Sequence, residues 1–348
     1  MLKALQYLEI GLAPKIVEVP EPAPAAGQVR LKVLAAGACH SDVFIMGLPE
    51  SLYTFGLPLT LGHEAVGVVD EVGDGVDAAL LGEVAAVYGA WGCGRCYRCA
   101  SGAENYCERA SSLGIAPPGL GAPGAMAEYL IVDSPRHLVS LNGLDPVGAV
   151  SLTDAGLTPY HAIKGSLSVL VPGSVAVIIG AGGLGHVAIQ MLRALTNVTV
   201  VALDVDTNKL AHAAAVGAHH TFTSNTDAVA AVAAVRELSG GLGASAVFDF
   251  VVNQATMDLG KPMMQAGGHQ VLVGVGMGTM GVGLLAGPYE WQVRSPYWGS
   301  LSELHEALAL ARSGAVKVTT ETFSLDDAPL AYEKLHNGTL TGRAVVVP

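Results

Sequence analysis

The sequence predicts an α/β protein of two domains, a β-rich one followed by a doubly wound parallel sheet. Three observations carry this. The first ~150 residues run in short alternating stretches broken by Gly and Pro. From Ser174 the pattern changes to apolar β-branched runs alternating with helical stretches. The first such run ends in a glycine-rich turn, Gly180-Ala-Gly-Gly-Leu-Gly185, that opens a helix. A chain of 348 residues is too long for one small core and suits two domains.

The segment Met1–Glu9 alternates like an edge strand and lacks the apolar core of a signal peptide. Gln28–Leu34, Ala65–Val72 and Glu83–Tyr88 read as strands of a strongly bent sheet or partial barrel. Pro20-Glu-Pro-Ala-Pro24 is a surface connection, because three prolines cannot sit in a ladder. Ser151–Ile163 reads as a helix-containing connector. Val175–Ile179 has the composition of a buried parallel strand, and Leu184–Leu195 follows with helical character. Val198–Leu203 is a second strand, Lys209–Val216 a second helix, and Ala246–Phe250 and Gln270–Val275 further strands. Leu301–Arg312 is predicted helical, and Ala344–Val347 a strand that returns to the first domain. That gives a discontinuous domain, residues 1–152 with 290–348, around a second domain at 153–289.

Bulk composition excludes some partners. There are 18 Lys and Arg against 30 Asp and Glu, a formal charge of −12, which argues against nucleic acid and anionic membranes. No apolar run approaches the ~18 residues of a membrane span. A cytoplasmic location is the default expectation.

The glycine-rich turn carries a specific chemistry. Gly180 permits the tight turn, Gly182 lets a pyrophosphate approach the backbone, and Gly185 lets helix and strand pack closely. Gly183 and Leu184 complete the loop, and the helix start supplies N–H groups and partial positive charge. Asp204 closes the second strand, 24 residues after Gly180. A carboxylate there accepts from a ribose diol and repels a 2′-phosphate, which favours NAD over NADP. Lys209 is within reach of the same ribose. The bland alternative is that Asp204 only caps a turn.

Of five cysteines, four fall at Cys93, Cys96, Cys99 and Cys107, spaced C-x2-C-x2-C-x7-C. Short loops of this kind converge thiolates on one tetrahedral ion, and four thiolates close its shell, so the expected role is structural zinc. Inert reduced thiols and a redox pair are the alternatives.

Cys39-His40-Ser41-Asp42, Gly62-His63-Glu64 and Leu152-Thr-Asp154-Ala-Gly-Leu-Thr-Pro-Tyr-His161 are ambiguous singly: His63 could be a core histidine and Asp154 a helix cap. Together with the four cysteines, the glycine loop, Pro296-Tyr-Trp-Gly299 and Gly342-Arg343, they resemble the zinc-dependent medium-chain dehydrogenase/reductase family. The resemblance runs along essentially the whole chain and looks closest to bacterial NAD-dependent secondary alcohol dehydrogenases. It implies a GroES-like β-rich catalytic domain and a Rossmann NAD-binding domain. It also implies a catalytic zinc on Cys39, His63 and Asp154, hence two zinc ions per subunit, with Glu64 beside the ion and Asp42 orienting His63.

The same resemblance gives Ser41 the substrate proton and places His40, with Arg343, at the cofactor pyrophosphate. It places Phe44, Phe55, Leu120 and Trp298 around the substrate, and their apolar character favours secondary alcohols and ketones over polyols. Relatives carry a histidine a few residues after the position of Ser41; here the residues are Asp42, Val43, Phe44, Ile45 and Met46, so the last proton step departs from the pattern. A homodimer or homotetramer is implied. A polyol or threonine dehydrogenase, or an inactive nucleotide sensor, are the alternative functions.

Overall fold

A computed structural model describes Leu2–Pro348 and divides the chain into two units. One comprises Met1–Leu157, Trp298–Arg312 and Val318–Pro348; the other comprises Thr158–Tyr297 and Ser313–Lys317.

The first unit is built on the long strand Val29–Ala38. Its inward residues Val29, Leu31 and Val33 are buried, so the alternating sequence pattern does fix one core face. Glu64–Val72 and Arg343–Val347 pair antiparallel with it on either side, and Tyr129–Val132 adds a third antiparallel partner. The sheet extends through Val84–Val87 to Leu138–Ser140 in one direction and to Thr320–Ser324 in the other. Its register against Glu64–Val72 slips between Arg30 and Leu31 and again between Val33 and Ala35. Such bulges bend a strand locally.

The first strand differs from expectation. Leu2–Tyr7 is the central member of a three-stranded sheet, between Lys15–Val19 and Leu59–Thr60, and so is not an edge. Period-2 alternation reports a half-buried face and says nothing about whether both strand edges are paired.

In the second unit six strands lie in the order His220–Thr223, Thr199–Asp204, Val175–Ile179, Ala244–Asp249, Met264–Leu272, Gln292–Arg294. Every pairing is parallel. The chain winds outward from Val175–Ile179 in one direction and then in the other, so the switch point lies at that strand's carboxyl end. All five of its residues are buried, which explains its unbroken apolar composition. Among the described residues no helix is long and apolar enough to cross a membrane.

Candidate active site and metal centres

Two strand ends and one turn assemble the first cluster, all within the first unit. Gly37 pairs with Glu64 across the sheet, so Cys39 and His63 leave adjacent strands side by side. Cys39 caps the helix His40–Met46 in an extended conformation, and the Asp42 carboxylate accepts the Cys39 N–H at 3.2 Å. Asp154 ends the 3-10 turn Val150–Thr153. The ligand atoms of Cys39, His63 and Asp154 all lie within 4.8 Å of one another. Asp154 Oδ2 is 3.2 Å from His63 Nε2 and 3.7 Å from Cys39 Sγ.

These separations test the fit to a metal. In a tetrahedral zinc site with bonds of about 2.0–2.3 Å, ligand atoms stand roughly 3.3–3.8 Å apart. The donor set of one thiolate, one imidazole and one carboxylate suits zinc and leaves a fourth position open. His63 Nδ1 lies 2.9 Å from Asp42 Oδ1, an arrangement that puts the proton on Nδ1 and the lone pair on Nε2. Burial works against a charged His63, yet the Asp42 and Asp154 carboxylates outweigh it and raise its pKa well above the usual imidazole range. The centre therefore attracts positive charge, and a metal ion can take the proton's place.

Glu64, fully buried, touches both sides of this cluster. Its Oε1 accepts the N–H of Ala155 at 3.0 Å, beside Asp154, and its Oε2 accepts from Arg343 Nη2 at 2.7 Å. Burial opposes the Arg343 charge, but Glu64 at contact distance overrides it and raises its pKa. Gly37 is required here, because a Cβ at that position would stand 1.8 Å from Glu64 Oε2. Arg343, expected at a cofactor pyrophosphate, is 2% exposed, with its guanidinium directed at Glu64 and Ser151.

The other expected residues fall as follows. Ser41 Oγ lies 3.8 Å from Cys39 Sγ, and His40 is exposed at the helix start. The Trp298 and His63 rings meet edge to face at 5.7 Å between centroids, and Trp298 Nε1 donates to the Thr153 carbonyl at 2.9 Å. It holds this position at a φ of 53°, a conformation costly for a bulky residue. Phe44, Phe55 and Leu120 are half-buried against the core of the first unit.

Cys93, Cys96, Cys99 and Cys107 form the second cluster, with Cys96 Sγ 3.5 Å from Cys99 Sγ and 3.9 Å from Cys107 Sγ. These are the spacings of a tetrahedral four-thiolate site. A charged network that the sequence did not reveal underlies it. Glu104 accepts from the Gly92 N–H at 2.8 Å, from Arg136 Nη1 at 2.5 Å, and meets His137 Nε2 at 3.1 Å. Burial pushes the Glu104 carboxyl up, but His137 and Arg136 outweigh it and bring it to about 2. Gly92 leaves room for the cluster, since a Cβ would stand 2.8 Å from that of Cys107.

In the second unit Gly180 adopts a φ of 90°, and a Cβ on Gly185 would stand 2.0 Å from the Gly180 carbonyl oxygen. Nothing lies within 4 Å of a Cβ built on Gly182, so the backbone there is open to a close ligand. Gly183 and Leu184 lead into the helix Gly185–Leu195, where the His186 N–H donates to the Gly182 carbonyl at 3.1 Å and the Ala188 N–H to that of Leu184 at 2.9 Å. Asp204 ends its strand as expected; its Oδ2 accepts the Ala181 N–H at 2.8 Å and its Oδ1 the Asp206 N–H at 3.0 Å. Lys209 lies in the first turn of the next helix, Thr207–Ala215.

Comparison with known proteins agrees with both halves of this picture. Residues 25–143 match the alcohol dehydrogenase GroES-like domain and residues 183–313 the zinc-binding dehydrogenase family. The chain is 35% identical to an NAD-dependent alcohol dehydrogenase of Sulfurisphaera tokodaii, over the whole of both chains. It is 33% identical to a D-arabinose 1-dehydrogenase (NADP+) of Saccharolobus solfataricus, over 96% of this chain and 94% of that one. The crystal structure of the alcohol dehydrogenase from Aeropyrum pernix superposes with a TM-score of 0.91 at 33% identity, covering both chains fully. All three are archaeal, which corrects the expected affinity with bacterial secondary alcohol dehydrogenases. The shared motifs belong to the metal and dinucleotide sites and so do not discriminate one lineage from another. With a GroES-like unit that gathers one three-ligand and one four-thiolate cluster, and a Rossmann unit behind a glycine loop, the chain belongs to the zinc-binding alcohol dehydrogenase family.

Proposed function

We propose that this protein oxidises secondary alcohols to ketones with NAD, and catalyses the reverse, at a zinc held by Cys39, His63 and Asp154. The observation that carries the reading is the three-ligand cluster itself, one donor short of a closed tetrahedral shell. Zinc there supplies Lewis acidity toward the substrate oxygen, and NAD supplies the hydride acceptor. Ser41, beside Cys39, accepts the alcohol proton. Asp42 keeps the His63 lone pair aimed at the centre. Glu64, through Ala155, holds the Asp154 turn in place.

In the second unit the helix start behind Gly182 binds the cofactor pyrophosphate. Asp204 selects NAD through its charge. Lys209 assists at the ribose. The cysteines 93, 96, 99 and 107 hold a second, structural zinc. Their need for reduced thiols supports a cytoplasmic location. Met277, Val282, Leu284 and Leu285 are 66–91% exposed on the second unit, which supports a homodimer or homotetramer. A monomer in sedimentation would remove that part.

Trp298 at 5.7 Å from His63 sets the substrate preference. Its indole crowds one side of the centre, so a ketone with one small and one large apolar group binds in one orientation. Discrimination of tenfold needs only ~1.4 kcal/mol between competing transition states. The test is a panel of methyl carbinols, primary alcohols and polyols, with chiral analysis of the reduction products. Secondary alcohols should lead, the products should be enantioenriched, and Trp298→Ala should shift both size preference and enantiomeric ratio. A racemic product, or polyols and sugars outperforming simple secondary alcohols, would overturn the substrate assignment.

A further inference from the structure

The helix Ala328–His336 buries Ala328, Ala331, Tyr332 and Leu335 along one face and packs against the helix His40–Met46. This spacing is the ordinary pattern of a helix covering a core. Of those four residues Tyr332 alone carries a polar group, and its hydroxyl donates to Asp42 Oδ2 at 2.8 Å across 290 residues of sequence. We propose that Tyr332 is a positioning residue for the Cys39–His63–Asp154 cluster, fixing the direction of Asp42 and, through Asp42, the imidazole of His63. The proposal rests on the reading of that cluster as a metal centre.

The Asp42 carboxylate has no exposed surface. A carboxylate so placed needs hydrogen bonds to both oxygens. Three contacts supply them: His63 Nδ1 at 2.9 Å on Oδ1, and Tyr332 Oη at 2.8 Å with the Cys39 N–H at 3.2 Å on Oδ2. Tyr332 makes the shorter of the two contacts on Oδ2. Burial and the neighbouring Asp42 push its phenol well above the usual range, so it stays protonated and donating. With both oxygens held, Asp42 has one orientation, and Oδ1 meets the His63 Nδ1–H. The imidazole is then held with Nε2 directed toward Cys39 and Asp154. Without the phenol, Oδ2 keeps one long hydrogen bond, and the carboxylate becomes freer to turn. His63 loses alignment, and loss of such an outer partner lowers metal affinity by about 10–100-fold.

Tyr332→Phe removes the hydroxyl and keeps the ring, so the packing of the helix survives. The measurement is zinc release from the holoenzyme during titration with a competing chelator. Wild type should release zinc in two steps, and Cys39→Ser should abolish the weaker one, which assigns that step to the three-ligand cluster. In Tyr332→Phe the weaker step should move to about 10–100-fold lower chelator, while the four-cysteine step stays where it was. Leu335→Ala, at a buried residue of the same helix whose side chain has no hydrogen bond to offer Asp42, controls for helix stability: it should lower the melting temperature and leave the weaker step unmoved. An unmoved weaker step in Tyr332→Phe, both steps moving together, or the same selective shift in Leu335→Ala would overturn the proposal. A wild type with one step that survives Cys39→Ser would overturn the metal-centre reading, and this proposal with it.

Discussion

At Asp204 one carboxylate serves two demands. It holds the Ala181 N–H, which pins the glycine loop to the neighbouring strand, and it carries the charge that on our reading excludes a 2′-phosphate. Asp204→Ala should therefore lower kcat/KM for NAD and shrink the preference over NADP. Hydrogen bonds to a charged group are worth about 1.5–3 kcal/mol, roughly tenfold to a hundredfold in that ratio. An unaltered ratio would reduce Asp204 to a turn cap. Residues such as this one were legible because their signal is local: a fixed distance from a glycine loop, or thiolates two residues apart. His63 and Asp154 were ambiguous singly and gained meaning from each other. Tyr332 and the Arg343–Glu64 pair were not legible as partners, because the atoms they meet lie 290 and 279 residues away in the chain. Tyr332 also occupies a position where the helical pattern asks for core, which hides its hydroxyl.

Among elements, those with one dominant period were read almost to their ends. The helix Leu301–Arg312 and the buried strand Val175–Ile179 fall where the sequence places them. The strand expected at Gln270–Val275 instead runs Met264–Leu272, through Gly267 and Gly268. Adjacent glycines read as a breaker, and here the first of them takes a φ of 71° inside the ladder. The loop of four cysteines was legible as ligands, but the charged support beneath it was not. His137 is fully buried, with Nδ1 2.5 Å from Asp133 and Nε2 3.1 Å from Glu104. Burial opposes its charge, but the two carboxylates outweigh this and raise its pKa above 6.5. Only the imidazolium can donate to both at once. The stabilisation is thus complete below the ordinary imidazole value and is lost as pH rises through the raised one. His137→Gln should cost about 1.5–3 kcal/mol on the acid side of neutrality, with the deficit narrowing as pH rises. Urea midpoints of both proteins across neutral and alkaline pH give the comparison; a deficit that widens with pH would contradict the assignment.

For the molecule as a whole, the fold class was legible because each half has its own hydrophobic rhythm, alternating in one and continuous in the other. A C-terminal strand that returns to the first domain was legible in the sequence, but not the partners it brings. What it delivers became visible in three dimensions: Arg343 to Glu64, and Tyr332 to Asp42. The first unit is completed by Trp298–Arg312 and Val318–Pro348, and the groups that support its three-ligand cluster come from both the early strands and the returning segment. The central claim is that this cluster holds the zinc on which alcohol oxidation depends, while the four-thiolate cluster holds a zinc that does not take part. The direct measurement is zinc content against the initial rate of NAD reduction by a secondary alcohol, across samples partially stripped by a chelator and still folded. We expect two zinc ions per chain at full rate and a rate that falls linearly as the first zinc is removed, reaching zero near one per chain. Undiminished turnover at one zinc per chain or none would contradict it.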